Sequence, residues 1–150
     1  MALEFNTIGI KLKYCVETSG RPTSGYTEIP DIKSLPELNL APSVLDVTNL
    51  TDSAKRSIPG VKDGGSEFSP TANMTANLKT VWASCVAAAN SAWTSGKQTY
   101  FEVAIPNYDS FYFAGMPTEL GFNGAGVDAV LEQTLHIIPN EIIGWAAKST

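Results

Sequence analysis

From Asn6 to Glu17 the side chains alternate, with Ile8, Ile10, Leu12, Tyr14 and Val16 on one side and Gly9, Lys11, Lys13, Cys15 and Glu17 on the other. A repeat of two residues places successive side chains on opposite faces of an extended strand. The same period returns in Thr99–Ile105 and in Val127–Ile138, where Val127, Ala129, Leu131, Leu135 and Ile137 oppose Asp128, Glu132, Thr134 and His136. Helical spacing occurs in one stretch, through Leu78, Val81, Trp82, Cys85, Ala89, Ala92 and Trp93. Thr75 is placed to cap that helix and Gly96 to stop it, so it is expected over about 76–94, with its alanine-rich face (Ala83, Ala87 to Ala89) lying close on a sheet. This imbalance of periods restricts the chain to an α+β fold, mainly antiparallel β, with one flanking helix.

The remaining punctuation divides the sheet. Thr18 to Tyr26 is rich in Gly, Ser, Pro and Thr and reads as a loop, and Pro30, Pro36 and Pro42 limit Thr27–Ser43 to short extended pieces. Val44–Leu50 is expected as a strand, and a short one near Glu67–Pro70. Pro106-Asn107 turns Thr99–Ile105 back into Ser110–Ala114 as a hairpin. Gly121–Gly126 is expected as a turn, Pro139-Asn140 as a break, and Ile142–Ala147 as a short closing segment. About seven strands result. Between them, residues 49–65 show almost no apolar periodicity, with a Pro59-Gly60 turn and a Gly64-Gly65 pair, and are expected as a long exposed loop. Loops of that length in a compact domain are usually functional or disordered.

With 150 residues the chain has room for one domain, 1–150. Charged residues make up 17% of it, below the usual quarter, which fits either a surface meant to be covered or an ordinary neutral one. The net charge is −5 and Lys and Arg form no cluster, so tight binding to phosphate backbones is disfavoured. The opening residues carry no basic or apolar leader, and the longest apolar run, Val86–Ala89, cannot cross a bilayer, so use in solution without membrane contact is expected. Cys15 and Cys85 then read as two buried reduced thiols in preference to a disulfide, and the Asn-x-Thr triplets at Asn49 and Asn73 as chance matches.

Few residues offer chemistry. His136 is the only histidine, so a histidine metal cluster cannot form, and its place is on the polar face of a strand. Gly121, Gly124 and Gly126 lack the spacing of a dinucleotide loop, and a strand is expected where a helix must follow. No nucleophile elbow, phosphate-binding loop or Cys-x-x-Cys occurs, and the fifteen carboxylates are scattered. No catalytic residue, metal or cofactor is assigned.

Four stretches carry a family resemblance: Tyr26–Leu38 (YTEIPDIKSLPEL), Leu45–Asp52 (LDVTNLTD), Ile58–Gly65 (IPGVKDGG), and Gly124–Val130 with Thr134–Pro139. In this order and spacing they resemble the major tail tube proteins of long, non-contractile-tailed bacteriophages of Gram-positive hosts. The helical segment, rich in alanine and asparagine, and the residues after Pro139 depart from that pattern. The resemblance implies two packed β-sheets with a flanking helix, assembled as hexameric rings stacked into a tube, each copy lending strands to a continuous inner barrel. Open edges of long strands would find partners there. It further implies a virion tail location, tape-measure and tail-end proteins as partners, and phage DNA passing through without tight binding.

Under that resemblance the 49–65 loop is an arm to a neighbouring ring, with Asp52, Lys55, Arg56, Lys62 and Asp63 setting register; the alternative is a solvated loop. Asp46, Asp128 and Glu132 become candidates for the bore, where like charge keeps DNA from sticking. Lys11 and Lys13 either pair with carboxylates on an adjacent strand or line the bore themselves. Two other readings stand beside this one: the inner tube of a contractile tail-like or type VI secretion apparatus, and a small β-rich ligand-binding protein or enzyme.

Overall fold

The computed structural model describes residues 8–39, 41–63 and 67–150. In chain order the elements are β1 (Lys11–Val16), β2 (Thr27–Ile29), β3 (Ile32–Ser34), β4 (Ala41–Asp46), β5 (Ser57–Asp63), β6 (Thr71–Asn73), α1 (Ala76–Thr94), β7 (Thr99–Ala104), β8 (Ser110–Pro117), β9 (Glu132–Thr134) and β10 (Ile137–Ala146). They form a five-stranded sheet ordered β10-β8-β7-β1-β2, a three-stranded sheet β3-β6-β9, and a separate β4-β5 ribbon. Every named pairing is antiparallel, in keeping with the α+β expectation.

One face of the large sheet holds Leu12, Phe101 and Phe113, and against it pack Leu78, Trp82, Cys85 and Val86 of α1 and Ala72 of the smaller sheet. The Phe101 and Phe113 rings stack 5.4 Å apart, and Phe68 meets Phe113 edge-on at 5.0 Å. Thr75 caps α1 by accepting from the Leu78 amide at 3.1 Å, and Gly96 follows the last turn at a positive φ of 73°. Trp82 Nε1 donates to the Thr118 carbonyl at 2.8 Å, joining the middle of the helix to the end of β8. The helix does not bury all of its expected stripe. Ala89 and Ala92 face inward, whereas Ala83 and Ala87 are exposed and Trp93 keeps 59% of its surface in water.

Four strand expectations are corrected. β1 is shorter than Asn6–Glu17, because Gly9 takes a positive φ of 85° and residues 8–9 turn; residues 6 and 7 lie outside the described residues. Val127–Ile138 is not one strand. Asp128 sits in a turn at φ 60°, Val127 is 93% exposed, and only Glu132–Thr134 and the start of β10 are extended. Pro139-Asn140 does not end the last strand, which runs through to Ala146 with irregularities at Pro139/Glu141 and Ile142/Gly144. A proline is tolerated there because β10 is the edge of its sheet, where a missing N–H breaks no ladder.

The fourth correction concerns 49–65, which is only in part a loop. β5 pairs with β4 from Asp46↔Ser57 to Ala41↔Asp63, leaving a tip at 47–56, so Val44–Leu50 is not a strand throughout and Pro59-Gly60 lies within β5. At 44–46 and 57–59 this two-stranded ribbon is exposed on both faces, and without a buried side neither apolar alternation nor the absence of proline marks a strand in sequence. Residues 64–66 of the expected loop lie outside the described residues.

Candidate assembly surface

The β4-β5 arm stands apart from the packed body. No substantial contact joins β4 or β5 to any other element, and Val44, Leu45, Val47, Leu50 and Ile58 are all exposed. An isolated hairpin of this kind is marginal in water and gains most by lying on another surface. Its tip is nonetheless well organised. Asn49 N donates to Asp52 Oδ2 at 2.9 Å, Thr51 N to Asn49 Oδ1 at 3.0 Å, and Asp52 N returns to the Asn49 carbonyl at 3.1 Å. Across the neck, Val47 N reaches the Arg56 carbonyl at 3.0 Å and Arg56 N reaches Thr48 Oγ1 at 2.8 Å.

The arm residues expected from sequence are distributed along this ribbon. Asp52 and Arg56 pair at the tip, Oδ2 to Nε 3.0 Å, and Lys55 beside them is exposed. Lys62 and Asp63 lie at the base on β5, opposite Pro42 and Ala41, and their side chains lie outside the described residues. Asp46 ends β4, where hydrogen bonds from Thr48 hold its carboxyl below the usual range.

The three bore candidates do not share a strand face. Asp46 belongs to the arm, Asp128 to the turn in 118–131, and Glu132 to β9, where it is ion-paired with Lys33. Lys11 lies 3.8 Å from Glu28 on the neighbouring strand, which matches the first of its two expected roles. His136 is exposed and contacts Glu67, whose carboxyl is lowered by its bonds to Ser69 and then to His136.

Glu102 was not singled out in the sequence, yet it is 0% exposed. It shares the second face of the large sheet with Tyr100, Ala104, Ser110, Tyr112 and Ala114, all buried. Arg21 covers that face, its guanidinium 4.2 Å from the Tyr112 ring centre, as do Tyr26 and the segment after β10. Ser149 donates to Glu102 through Oγ at 2.6 Å and through its amide at 3.1 Å. Burial pushes this carboxyl upward, but bonds from Ser149, Ser110 and Tyr112 outweigh it and hold the group below its ordinary value. Ser110 Oγ has no partner in full hydrogen-bond geometry, so Ser149 and Tyr112 are the firmer donors. The small and aromatic residues of that face were the available signal, since a solvated face would carry charges instead.

Two further surfaces are uncovered. Along β10, Ile138, Ile143 and Trp145 are exposed, and Trp145 packs edge-on with Phe111 at 5.5 Å and Tyr108 at 6.4 Å. Between α1 and Leu120 runs a groove of about 330 Å³ floored by Trp82, Ala83, Val86 and Ala87. Among the described residues no three His, Cys, Asp or Glu side chains converge as a metal site, and no helix is long and apolar enough to cross a membrane.

No protein-family model matches the chain, and no curated protein matches it. Solved structures do. A chain from the tail of an empty GTA particle, refined with helical and C6 symmetry, superposes with a TM-score of 0.62 at 14% identity, covering 96% of this chain and 100% of that one. A chain of the six-fold symmetrised anti-feeding prophage (AFP) baseplate gives 0.61 at 11% identity, covering 95% of each. A chain from the virion of a native gene transfer agent (GTA) particle gives 0.61 at 14% identity, covering 96% and 100%. Over nearly its whole length, this chain therefore has the fold of chains found in tail and baseplate assemblies.

Proposed function

We propose that the protein is a structural subunit of a phage-type tail tube, acting by polymerisation and without catalysis. The observation that carries this reading is the near-complete match of fold to a chain from the tail of a particle refined with helical and C6 symmetry. The projecting arm supports it, because an exposed ribbon with five uncovered apolar side chains suits a subunit whose partner is another copy.

In the finer form of this reading, copies assemble as hexameric rings stacked around a lumen in the tail of a siphovirus-type particle with a Gram-positive host. The arm, through Asp52, Lys55, Arg56, Lys62 and Asp63, reaches the next ring. Asp46, Asp128 and Glu132 face DNA in transit, and tape-measure and tail-end proteins close the assembly. The likeness to a baseplate chain supports a second reading, a tube or ring within a contractile apparatus, which co-assembly with a sheath protein would single out.

Negative-stain imaging of the concentrated protein tests the proposal. Rings or tubes with a central hole are expected; a protein that stays monomeric at high concentration overturns it. Replacing residues 47–56 by a two-residue Asn-Gly turn should leave a folded body that no longer stacks.

A further inference from the structure

We propose that the groove between α1 and Leu120 receives the arm tip of a second copy, with Leu50 as the seated side chain. The proposal rests on the tail reading above and names the surface that the arm grips.

Among the described residues, both halves of the contact are present and unpartnered. Leu50 sits at the arm tip, fully exposed, on a turn held by the Asn49–Asp52 hydrogen bonds and the Asp52–Arg56 pair. Such a tip has already met its ordering cost, so insertion of one apolar anchor gains more than it would from a mobile loop. The groove offers the complementary hole. Trp82, Ala83, Val86, Ala87 and Leu120 line about 330 Å³, and the helix keeps its floor open because Ala83 and Ala87 carry only methyl groups. That volume exceeds the roughly 150 Å³ of an engineered apolar cavity able to hold a benzene ring, so a leucine side chain fits.

Charge agrees with this pairing. The groove carries exposed Glu119 and the tip carries exposed Lys55, so the two opposite charges can meet as Leu50 enters. The arm does not fill its own groove: the elements packed substantially on α1 are β1, β2, β7 and β8. Knob and hole are different patches of one molecule. A contact between them is head-to-tail, and it propagates from copy to copy as a ring or stack requires.

Cysteine cross-linking tests the contact. In a Cys15→Ser background, Leu50→Cys combined with Ala87→Cys should give a ladder of disulfide-linked multimers on oxidation of assembled protein. Each single variant, and Leu50→Cys combined with Ser24→Cys on an unrelated exposed loop, should give none. Leu50→Asp and the groove-filling Ala87→Trp should each abolish tubes while circular dichroism shows a folded monomer. Tubes without a ladder, or tubes surviving either substitution, overturn the docking and leave the tail reading intact. Loss of tubes in Leu50→Asp alone means that the arm docks elsewhere and the groove has another occupant. Wild-type protein that never assembles overturns both.

Discussion

Tyr112 Oη lies 2.9 Å from Glu102 Oε2 and 2.7 Å from the carbonyl oxygen of Ala147, so a single phenol proton serves a buried carboxylate and the chain leaving β10. Ser149 completes the arrangement from the same segment, and Thr150 N donates to the Thr23 carbonyl at 3.1 Å. The result is a strap, 147–150, held across the second face of the large sheet. Removing the acceptor at its centre leaves the part-buried Ser149 hydroxyl and amide without their partner and the Tyr112 hydroxyl with the Ala147 carbonyl alone. Glu102→Ala is expected to destabilise the fold by about 3 kcal/mol and Tyr112→Phe by about 1 kcal/mol, measured by urea denaturation. An unchanged midpoint in Glu102→Ala would mean that the strap contributes nothing.

The same carboxylate gives a pH dependence of defined sign. Its folded value is depressed below the ordinary 4.5, so its stabilisation is fully present above that value and is lost as pH falls through the folded one. The charged groups facing this carboxylate are Arg21 above Tyr112 and Lys13 opposite Glu102 in register. Thermal melts from pH 7 to pH 3 should fall more steeply for wild type than for Glu102→Gln. Parallel curves would remove Glu102 from the acid transition.

Gly115 sits on β8 directly against β10, paired with Pro139. A Cβ there would stand 2.8 Å from Ile137 Cγ2 and 3.0 Å from the Ile138 carbonyl oxygen, so the Ile137 side chain must leave its rotamer or the strand must shift. Gly115→Val should cost about 1–3 kcal/mol through overpacking, and a calorimetric melt reads it directly.

Trp82 combines full burial with a hydrogen bond to Thr118. Trp82→Ala is expected to lose about 3–5 kcal/mol, enough to unfold a marginal domain. Trp82→Phe keeps most of the ring and should lose less. Equal losses would show that the indole N–H, not packing, carries the site.

The two thiols should differ in reactivity. Burial pushes the Cys85 thiol up to about 12, while half-buried Cys15 is raised less. At pH 8 a thiol reagent should label Cys15 first and Cys85 only on unfolding. Simultaneous labelling of both would show that the helix opens readily.

How far the sequence reaches is clearest where one local signal sufficed. α1 was legible to its ends because Thr75, the period of 3.6 and Gly96 act within a few residues of one another. The β7-β8 hairpin followed from alternation and the Pro106-Asn107 turn. These features are written into neighbouring residues, so sequence by itself determined the fold class and the helix. The arm, the strap and the path of β10 depend instead on which segment lies beside which. Pro59 within β5 and Pro139 within β10 are tolerated only because those strands are edges, and Glu102 is buried only because 147–150 crosses over it. Edge position and cover are properties of distant chain segments brought together. No local pattern encodes them, and tertiary structure alone decided which apolar surfaces, Leu50 and the α1 groove among them, were left without a partner.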